Sequence, residues 1–303
     1  MVTEELKENP EKSLEEITRE KVLVGLNMIK PGIEWKKEFI DRLILLELNS
    51  KINRDSRMVE AGLVSVLNEM ALRRLGKITD EHLSETRVAA RIHDVGKSGP
   101  PEADKEQQLA VTQLFATEKL KREHKDIKVE KAVREIVFKG NEYGANLMLA
   151  RLMTCGVDIS MPMQSFWESH ARWGAEIIKK DCGGLSENTK LIAILHHVDK
   201  GPEFNFSDTL IEEIDEEVLQ GALTIGQLED YVDAFRQRAI IAVDQYDAYI
   251  HRSGMTHELA IATLKKKIEG SKTFSKDALL RFIIQVMEDM GKEKIFDDMV
   301  KQL

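Results

Sequence analysis

Apolar residues recur along most of the chain at spacings of three and four. Leu63, Val66 and Met70 are one example. This period is typical of amphipathic helices, and few segments show the alternation of a half-buried strand. Glycine and proline clusters, such as Gly183-Gly184, separate the helical stretches. The pattern therefore predicts an all-α bundle.

The helical segments divide into a short N-terminal region and a larger domain. We predict an N-terminal helical region over residues 1–50 and a second domain over residues 51–303. Within the first, Trp35, Phe39 and Leu43 share one helix face, which we expect to belong to the core rather than to a docking surface. Because the region holds no candidate catalytic residue, it could sense a ligand, dock a partner, brace the bundle or mediate a homodimer, and we favour the last two roles.

Charge and composition narrow the possible functions. The 303 residues include 44 Lys and Arg against 53 Asp and Glu, a formal net charge of −9 at pH 7. That balance disfavours general nucleic-acid binding, because a phosphate backbone would be repelled. No run approaches the ~18 apolar residues of a membrane span. With two cysteines, no CxxC pair and no apolar leader, we expect a reduced, cytoplasmic protein without a membrane partner.

Four of the eight histidines lie in apolar settings on predicted helices. His93-Asp94 ends a helix in ARIHDVGK, His170 opens one in HARWGAEII, and His196-His197 ends one in LIAILHH. An imidazole and a carboxylate side by side can bind one metal ion, while the second carboxylate oxygen bridges to another. Each feature alone is more often a core histidine or a helix-terminal aspartate. Their combination carries the hypothesis of a metal site.

Two aspartates in a later apolar helix add acidic candidates. Asp244 and Asp247 occur in RAIIAVDQYDAYIHR, three residues apart and therefore on one helix face. An unpaired buried carboxylate is costly, so each needs a partner or solvent. A metal ion would satisfy Asp244. For Asp247, a helix cap or a pair with Arg252 is an equally good explanation.

In their order along the chain, these motifs resemble the HD-domain metal-dependent phosphohydrolases, specifically the HD-GYP branch of bacterial cyclic di-GMP phosphodiesterases. IHDVGK is similar to the family's LHDIGK, SHARWGAEII to its HpeiGaeil, LHH to its paired histidine, and AVDQYDAYIHR to its vaDxfDAltsxR. The resemblance covers roughly residues 54–288. It implies an HD-type helical bundle that hydrolyses a cyclic dinucleotide, with cyclic di-GMP as the favoured substrate.

The resemblance also implies roles for individual residues. It implies two or three divalent metal ions, with iron or manganese favoured for a mixed set of imidazoles and carboxylates. Asp94 would bridge the ions and act in catalysis with Lys97. Substrate would be bound by Lys97, Lys200 and Arg252. The implied metal ligands are Glu60, His93, Asp94, His170, His196, His197 and Asp244.

Three departures from the family pattern change the expectations. The position of the family's leading histidine falls at Glu60, which we expect to act as a substitute ligand. The GYP segment is missing, and with it a marker of substrate recognition. Asp94 and His170 lie 76 residues apart, far more than in the family. This spacing predicts a helical insertion near residues 99–169 that partly covers the site, with His124 exposed and unligated.

Three alternatives stay open. The chain could be an HD phosphohydrolase acting on mononucleotides or on another cyclic dinucleotide. It could be a sensor that binds a nucleotide without cleaving it, although nearly all the ligands are present. It could also be a di-iron oxygenase, because clusters of histidine and carboxylate ligands can activate dioxygen.

Overall fold

The predicted all-α fold class is confirmed. The computed structural model describes residues 13–73, 77–196, 215–225, 228–271 and 274–296. These ranges contain 13 α-helices and no strand. The helices are α1 (Leu14–Ile29), α2 (Lys37–Glu47), α3 (Ser50–Leu72), α4 (Asp80–Ile92), α5 (Lys105–Ala116), α6 (Val129–Ala132), α7 (Glu142–Thr154), α8 (Met163–Asp181), α9 (Glu187–Leu195), α10 (Glu216–Ile225), α11 (Val232–Asp247), α12 (His257–Glu269) and α13 (Ala278–Ile295). In the part of the chain so described, no helix combines the length and apolar character that crossing a membrane requires.

The larger hydrophobic core lies among α3, α4, α9, α11 and α13. Gly62 allows α3 to approach α11 closely, because a Cβ atom there would lie 2.7 Å from Val243 Cγ1. The buried Arg236 fixes α11 against α4, since its guanidinium donates to Thr86 Oγ1 at 2.9 Å and pairs with Glu85 at 3.0 Å. These contacts set the position of α11 relative to the end of α4, where the candidate site lies.

A second, smaller hydrophobic cluster lies among α5 to α8, within and just after the predicted insertion. Leu114, Leu152 and Phe166 are fully buried in it. Residues 99–169, where we predict an insertion, are largely helical, and they reach the site through Phe115, whose ring centroid lies 5.4 Å from that of His170. This segment therefore supplies most of a separate hydrophobic cluster and packs against one histidine of the site.

For His124, within residues 99–169, the predicted exposure is not observed. It is half-buried rather than exposed, because its Nδ1 accepts a hydrogen bond from the Lys121 amide at 3.0 Å and this contact holds the ring against the chain. No group of potential metal ligands among the described residues includes it.

The N-terminal helices pack on the bundle. Phe39 and Leu43 are buried, and Trp35 stacks on Phe39 at 5.6 Å, so this face belongs to the core as expected. The buried Arg42 donates to Ser98 Oγ at 2.9 Å and to the carbonyl oxygens of the next two prolines, each at 2.8 Å. Residues before α3 therefore brace the segment that follows the HD motif. The predicted homodimer stays a prediction.

Candidate metal centre

The HD motif lies where α4 ends and a tight 3-10 turn, Val95–Ser98, begins. This turn touches α8 so closely that a Cβ atom on Gly96 would lie 1.8 Å from the carbonyl oxygen of His170. Only glycine fits that contact. The close approach brings Asp94 Oδ1 to 3.4 Å from His170 Nε2. His170 lies in the middle of α8 and does not open a helix, because α8 already begins at Met163.

All three described histidines of the site are oriented in the same way, by the carbonyl group three residues earlier. The pairs are His93 Nδ1 with Ala90 O at 2.6 Å, His196 Nδ1 with Ala193 O at 2.7 Å, and His170 Nδ1 with Trp167 O. Because a carbonyl oxygen can only accept, Nδ1 must carry the proton in each ring. The other ring nitrogen, Nε2, then holds a lone pair that a metal ion could use.

These Nε2 atoms surround the carboxylate of Asp94. Its Oδ2 lies 3.3 Å from His93 Nε2, and its Oδ1 lies 4.0 Å from His196 Nε2. His93, Asp94 and His196 are buried, and their potential ligand atoms all lie within 4.8 Å of one another, so this group could hold a metal ion. His93 Nε2 is buried and has no hydrogen-bond partner among the described residues. A metal ion bound there would satisfy this atom, so the donor set fits one.

The protonation states of the carboxylate and the imidazoles also favour the binding of a cation. Burial alone would raise the pKa of Asp94, but the electrostatic effect of the neighbouring His93, Lys97 and His170 side chains holds that pKa well below its usual range. Burial lowers the pKa of His170, and it lowers that of His196 to about 3. Neutral imidazoles beside an ionised carboxylate are the forms that bind divalent ions.

Lys97, the predicted partner of Asp94 in catalysis, adds a positive charge at the cluster. Its Nζ lies 2.5 Å from Asp94 Oδ2, and its side chain is 9% exposed. Its carbonyl accepts a hydrogen bond from Thr112 Oγ1 on α5 at 3.3 Å. We call His93, Asp94, Lys97, His170 and His196 together the histidine side of the site.

Asp244, on α11, lies next to this cluster. It is buried, and its Oδ1 is 4.0 Å from His93 Nε2, so Asp94 and Asp244 contact the same imidazole. Because both carboxylates lie within 4.0 Å of the same nitrogen, their separation is below the ~10 Å limit for a bridged cluster. Burial would raise the pKa of Asp244, but the charges of Arg252 and His196 lower it.

Arg252 and a third carboxylate complete this region. Arg252 ends a π-helical turn, Ala248–Arg252, and its Nη2 lies 3.7 Å from Asp244 Oδ1. Its Nε lies 3.6 Å from Oδ2 of Asp55, a buried residue of α3. We call Asp55, Asp244 and Arg252 the arginine side of the site. The role of Arg252 in substrate binding stays a prediction.

Asp55 was missed in the sequence, although a signal was present. It lies on the buried face of α3, three residues after Ile52 and three before Met58, both of which are buried. An aspartate at a helical core spacing needs a buried partner. The same reasoning that singled out Asp244 could therefore have found it.

Glu60, the proposed substitute ligand, has other partners. Its Oε2 lies 2.8 Å from Arg91 Nε, and its Oε1 lies 4.0 Å from Arg87 Nε. The group of potential ligands found around Asp94 does not include it. Two guanidinium groups already neutralise this carboxylate, and Asp55 is the α3 carboxylate that faces the site.

The remaining predicted residues fall into two groups. His197 and Lys200 lie outside the described residues. Asp247 pairs with His251 Nδ1 at 2.7 Å and does not pair with Arg252. The fully buried Asp247 has a raised pKa because of that burial, although the hydrogen bond with His251 opposes the effect.

The chain has no match among protein-family models, curated proteins or solved structures. The resemblance to HD-domain phosphohydrolases therefore rests on the motifs quoted above. The geometry independently identifies a candidate metal centre, without naming a family.

Proposed function

We propose that the chain is a metal-dependent phosphodiesterase of the HD type that hydrolyses a cyclic dinucleotide, with cyclic di-GMP as the first substrate to test. One observation carries this proposal. The buried carboxylate of Asp94 is surrounded by the imidazoles of His93, His170 and His196 and by the ammonium group of Lys97.

The donor set supports a divalent ion as the cofactor. Several imidazoles combined with carboxylates suit iron or manganese, whereas magnesium prefers oxygen ligands. Such an ion supplies positive charge that activates water and offsets the charge on phosphate oxygens. His93, Asp94 and His196 would hold it, and His170 contacts Asp94 from α8.

Two cations of the chain itself support an anionic substrate. Lys97 is held in place by Asp94, and Arg252 lies beside Asp244 with its side chain 39% exposed, so that a phosphate group can reach it from solvent. Positive groups that are already in position stabilise the charge that develops on phosphate oxygens during hydrolysis. The proposed cytoplasmic location and the lack of general nucleic-acid binding rest on composition.

A turnover assay tests the proposal. The protein is stripped with a chelator, reloaded with Mn²⁺ or Fe²⁺ without oxygen, and incubated with cyclic di-GMP, other cyclic dinucleotides and mononucleotides. We expect metal-dependent cleavage of a cyclic dinucleotide, measured by chromatography of the products, and no cleavage by the Asp94→Asn variant.

The other outcomes separate the alternatives. Cleavage of mononucleotides alone would favour another HD phosphohydrolase. Saturable binding of a nucleotide without cleavage would favour a sensor. Metal-dependent consumption of dioxygen without any phosphate release would favour an oxygenase.

A further inference from the structure

The arginine side of the site has an arrangement that the resemblance does not explain. Asp55 comes from α3 and Asp244 from α11, and the guanidinium of Arg252 lies between their carboxylates at 3.6 and 3.7 Å. Both carboxylates are buried, at 4% and 5% exposed. A single cation of the chain thus serves two buried carboxylates from different helices.

A divalent ion bound between the same carboxylates would compete with this guanidinium. An ion ~2.0–2.6 Å from Asp244 Oδ1 would require Arg252 Nη2, which lies 3.7 Å from that oxygen, to move away. Displacing Arg252 would also separate a positive charge from two buried negative ones, and breaking such a pair is costly. On the histidine side, Lys97 also pairs with Asp94, but that side adds uncharged nitrogen donors, among them the buried His93 Nε2, which has no hydrogen-bond partner among the described residues.

The formal charges lead to the same conclusion. Within the residues that define the two sides of the site, Asp55, Asp94 and Asp244 contribute three negative charges, and Lys97 and Arg252 contribute two positive ones. One divalent ion changes the sum from one negative to one positive charge. A second ion would leave three positive charges around buried side chains, which is unfavourable without further anions.

We propose that Arg252 takes the place of a metal ion between Asp55 and Asp244, so that the described residues of the site bind one divalent ion, on the histidine side. This inference rests on the metal site of the proposed function but not on the reaction. Arginine keeps its charge at all accessible pH values, so Arg252 acts as a permanent cation next to the metal position.

Metal counting tests this directly. The metal-free protein is dialysed to equilibrium against Mn²⁺, and bound manganese per chain is measured by mass spectrometry, with the electron paramagnetic resonance spectrum recorded in parallel. We expect one ion per wild-type chain, with the spectrum of an isolated Mn²⁺. Arg252→Gln should bind twice as much manganese and show the spectrum of a coupled pair, whereas Arg252→Lys, which keeps the charge, should bind one ion.

Arg54→Gln is the matched control. Arg54 also faces Asp55, at 3.7 Å, but its side chain is 60% exposed and contacts only one of the two carboxylates. Replacement of Arg54 should leave the number of bound manganese ions per chain at one. Circular dichroism checks that every variant is folded.

Two results would overturn the inference. One is a wild-type count of two, which needs no variant and would leave the proposed function standing. The other is a folded Arg252→Gln variant that still binds one ion. A wild-type count of zero would remove the metal site itself, and with it the proposed function.

Discussion

Both sides of the site contain buried carboxylates, but the side chains around these carboxylates differ. On the histidine side, one carboxylate meets three imidazoles whose protons are directed to backbone carbonyls, and His93 Nε2 is buried without a hydrogen-bond partner among the described residues. On the arginine side, two buried carboxylates already share a guanidinium. The histidine side therefore offers nitrogen lone pairs to an external cation beside its Asp94–Lys97 pair, while Arg252 neutralises the carboxylates of the arginine side.

Under the proposal of one bound ion, a ligand count from the sequence overestimates metal binding. Asp244 fits the family pattern as well as Asp94 does, but Asp244 lies beside one imidazole and a guanidinium, whereas Asp94 lies beside three imidazoles. A cation of the chain contacts each carboxylate, so the neutral nitrogen donors nearby distinguish the two positions. The predictions below test the two sides separately.

The largest effect is expected at Asp94. Asp94→Ala should remove turnover entirely and lower metal affinity by more than the ~10–100-fold that loss of an outer partner of a ligand costs. The reason is that the only carboxylate on the histidine side disappears. Manganese titration of the purified variant measures the loss.

Glu60→Ala is the matched control for this change. Glu60 pairs with Arg91 and Arg87, so metal affinity should stay at the wild-type value. Full metal content in Asp94→Ala, or loss of metal from Glu60→Ala, would reverse the assignment of these two acidic residues.

The second-largest effect is expected at Lys97, which contributes a positive charge but does not act as a metal ligand. Lys97→Ala should keep its manganese and slow turnover by ~10²–10³, the usual cost of one electrostatic stabiliser. Single-turnover rates together with metal analysis measure both quantities. Lys105→Ala, a change at a largely exposed lysine paired with Glu15, should alter neither. An empty site in Lys97→Ala would mean that Lys97 holds the cluster together.

Helix α3 shows which part of the site could be predicted from the sequence and which part could not. The HD motif was predictable because the helix signal and the Gly96 turn are local, and the same holds for the end of α9 at His196. The count back from the later turn selected the wrong α3 residue, Glu60, although the apolar spacing around Asp55 indicates a buried carboxylate. Glu60 and Asp55 are five residues apart, which places them about 140° apart around a helix. Which of them faces the cluster depends on how α3 packs against distant helices, and a count along the chain does not contain that information.

The π-helical turn is a second feature that the sequence pattern does not predict. In a regular helix, Asp247 and His251 at i and i+4 are neighbours, so their pair could have been predicted from spacing. The direction of Arg252 could not, because it follows the wider turn at Ala248–Arg252 and points to Asp244 and Asp55. Such turns are rare and recur at functional sites, but they have no dependable sequence signal.

A packing change at Gly96 should have a smaller effect, confined to the histidine side. Gly96→Ala places a Cβ atom 1.8 Å from the His170 carbonyl, so the turn and α8 must separate. We expect the free energy of unfolding to fall by ~1–3 kcal/mol, as for other overpacked sites, with weaker manganese binding. Gly183→Ala is the control, since nothing lies within 4 Å of the added atom. Equal urea-unfolding midpoints for both variants would contradict the close contact.

The smallest effect should come from Asp247, which lies one helical turn beyond Asp244. Its burial raises its pKa, so the folded protein holds this proton more tightly than the unfolded chain does. The stability that the proton contributes is fully present below the unfolded pKa and is lost as the pH rises through the folded pKa. Asp247→Asn cannot ionise, so its free energy of unfolding should fall less than that of the wild type over this range. The resulting difference in the free energy of unfolding between the two proteins is ~1.4 kcal/mol for each unit by which folding raises the pKa of Asp247. Urea unfolding at a series of pH values measures it, and parallel curves for the two proteins would show that Asp247 is ionised in the fold.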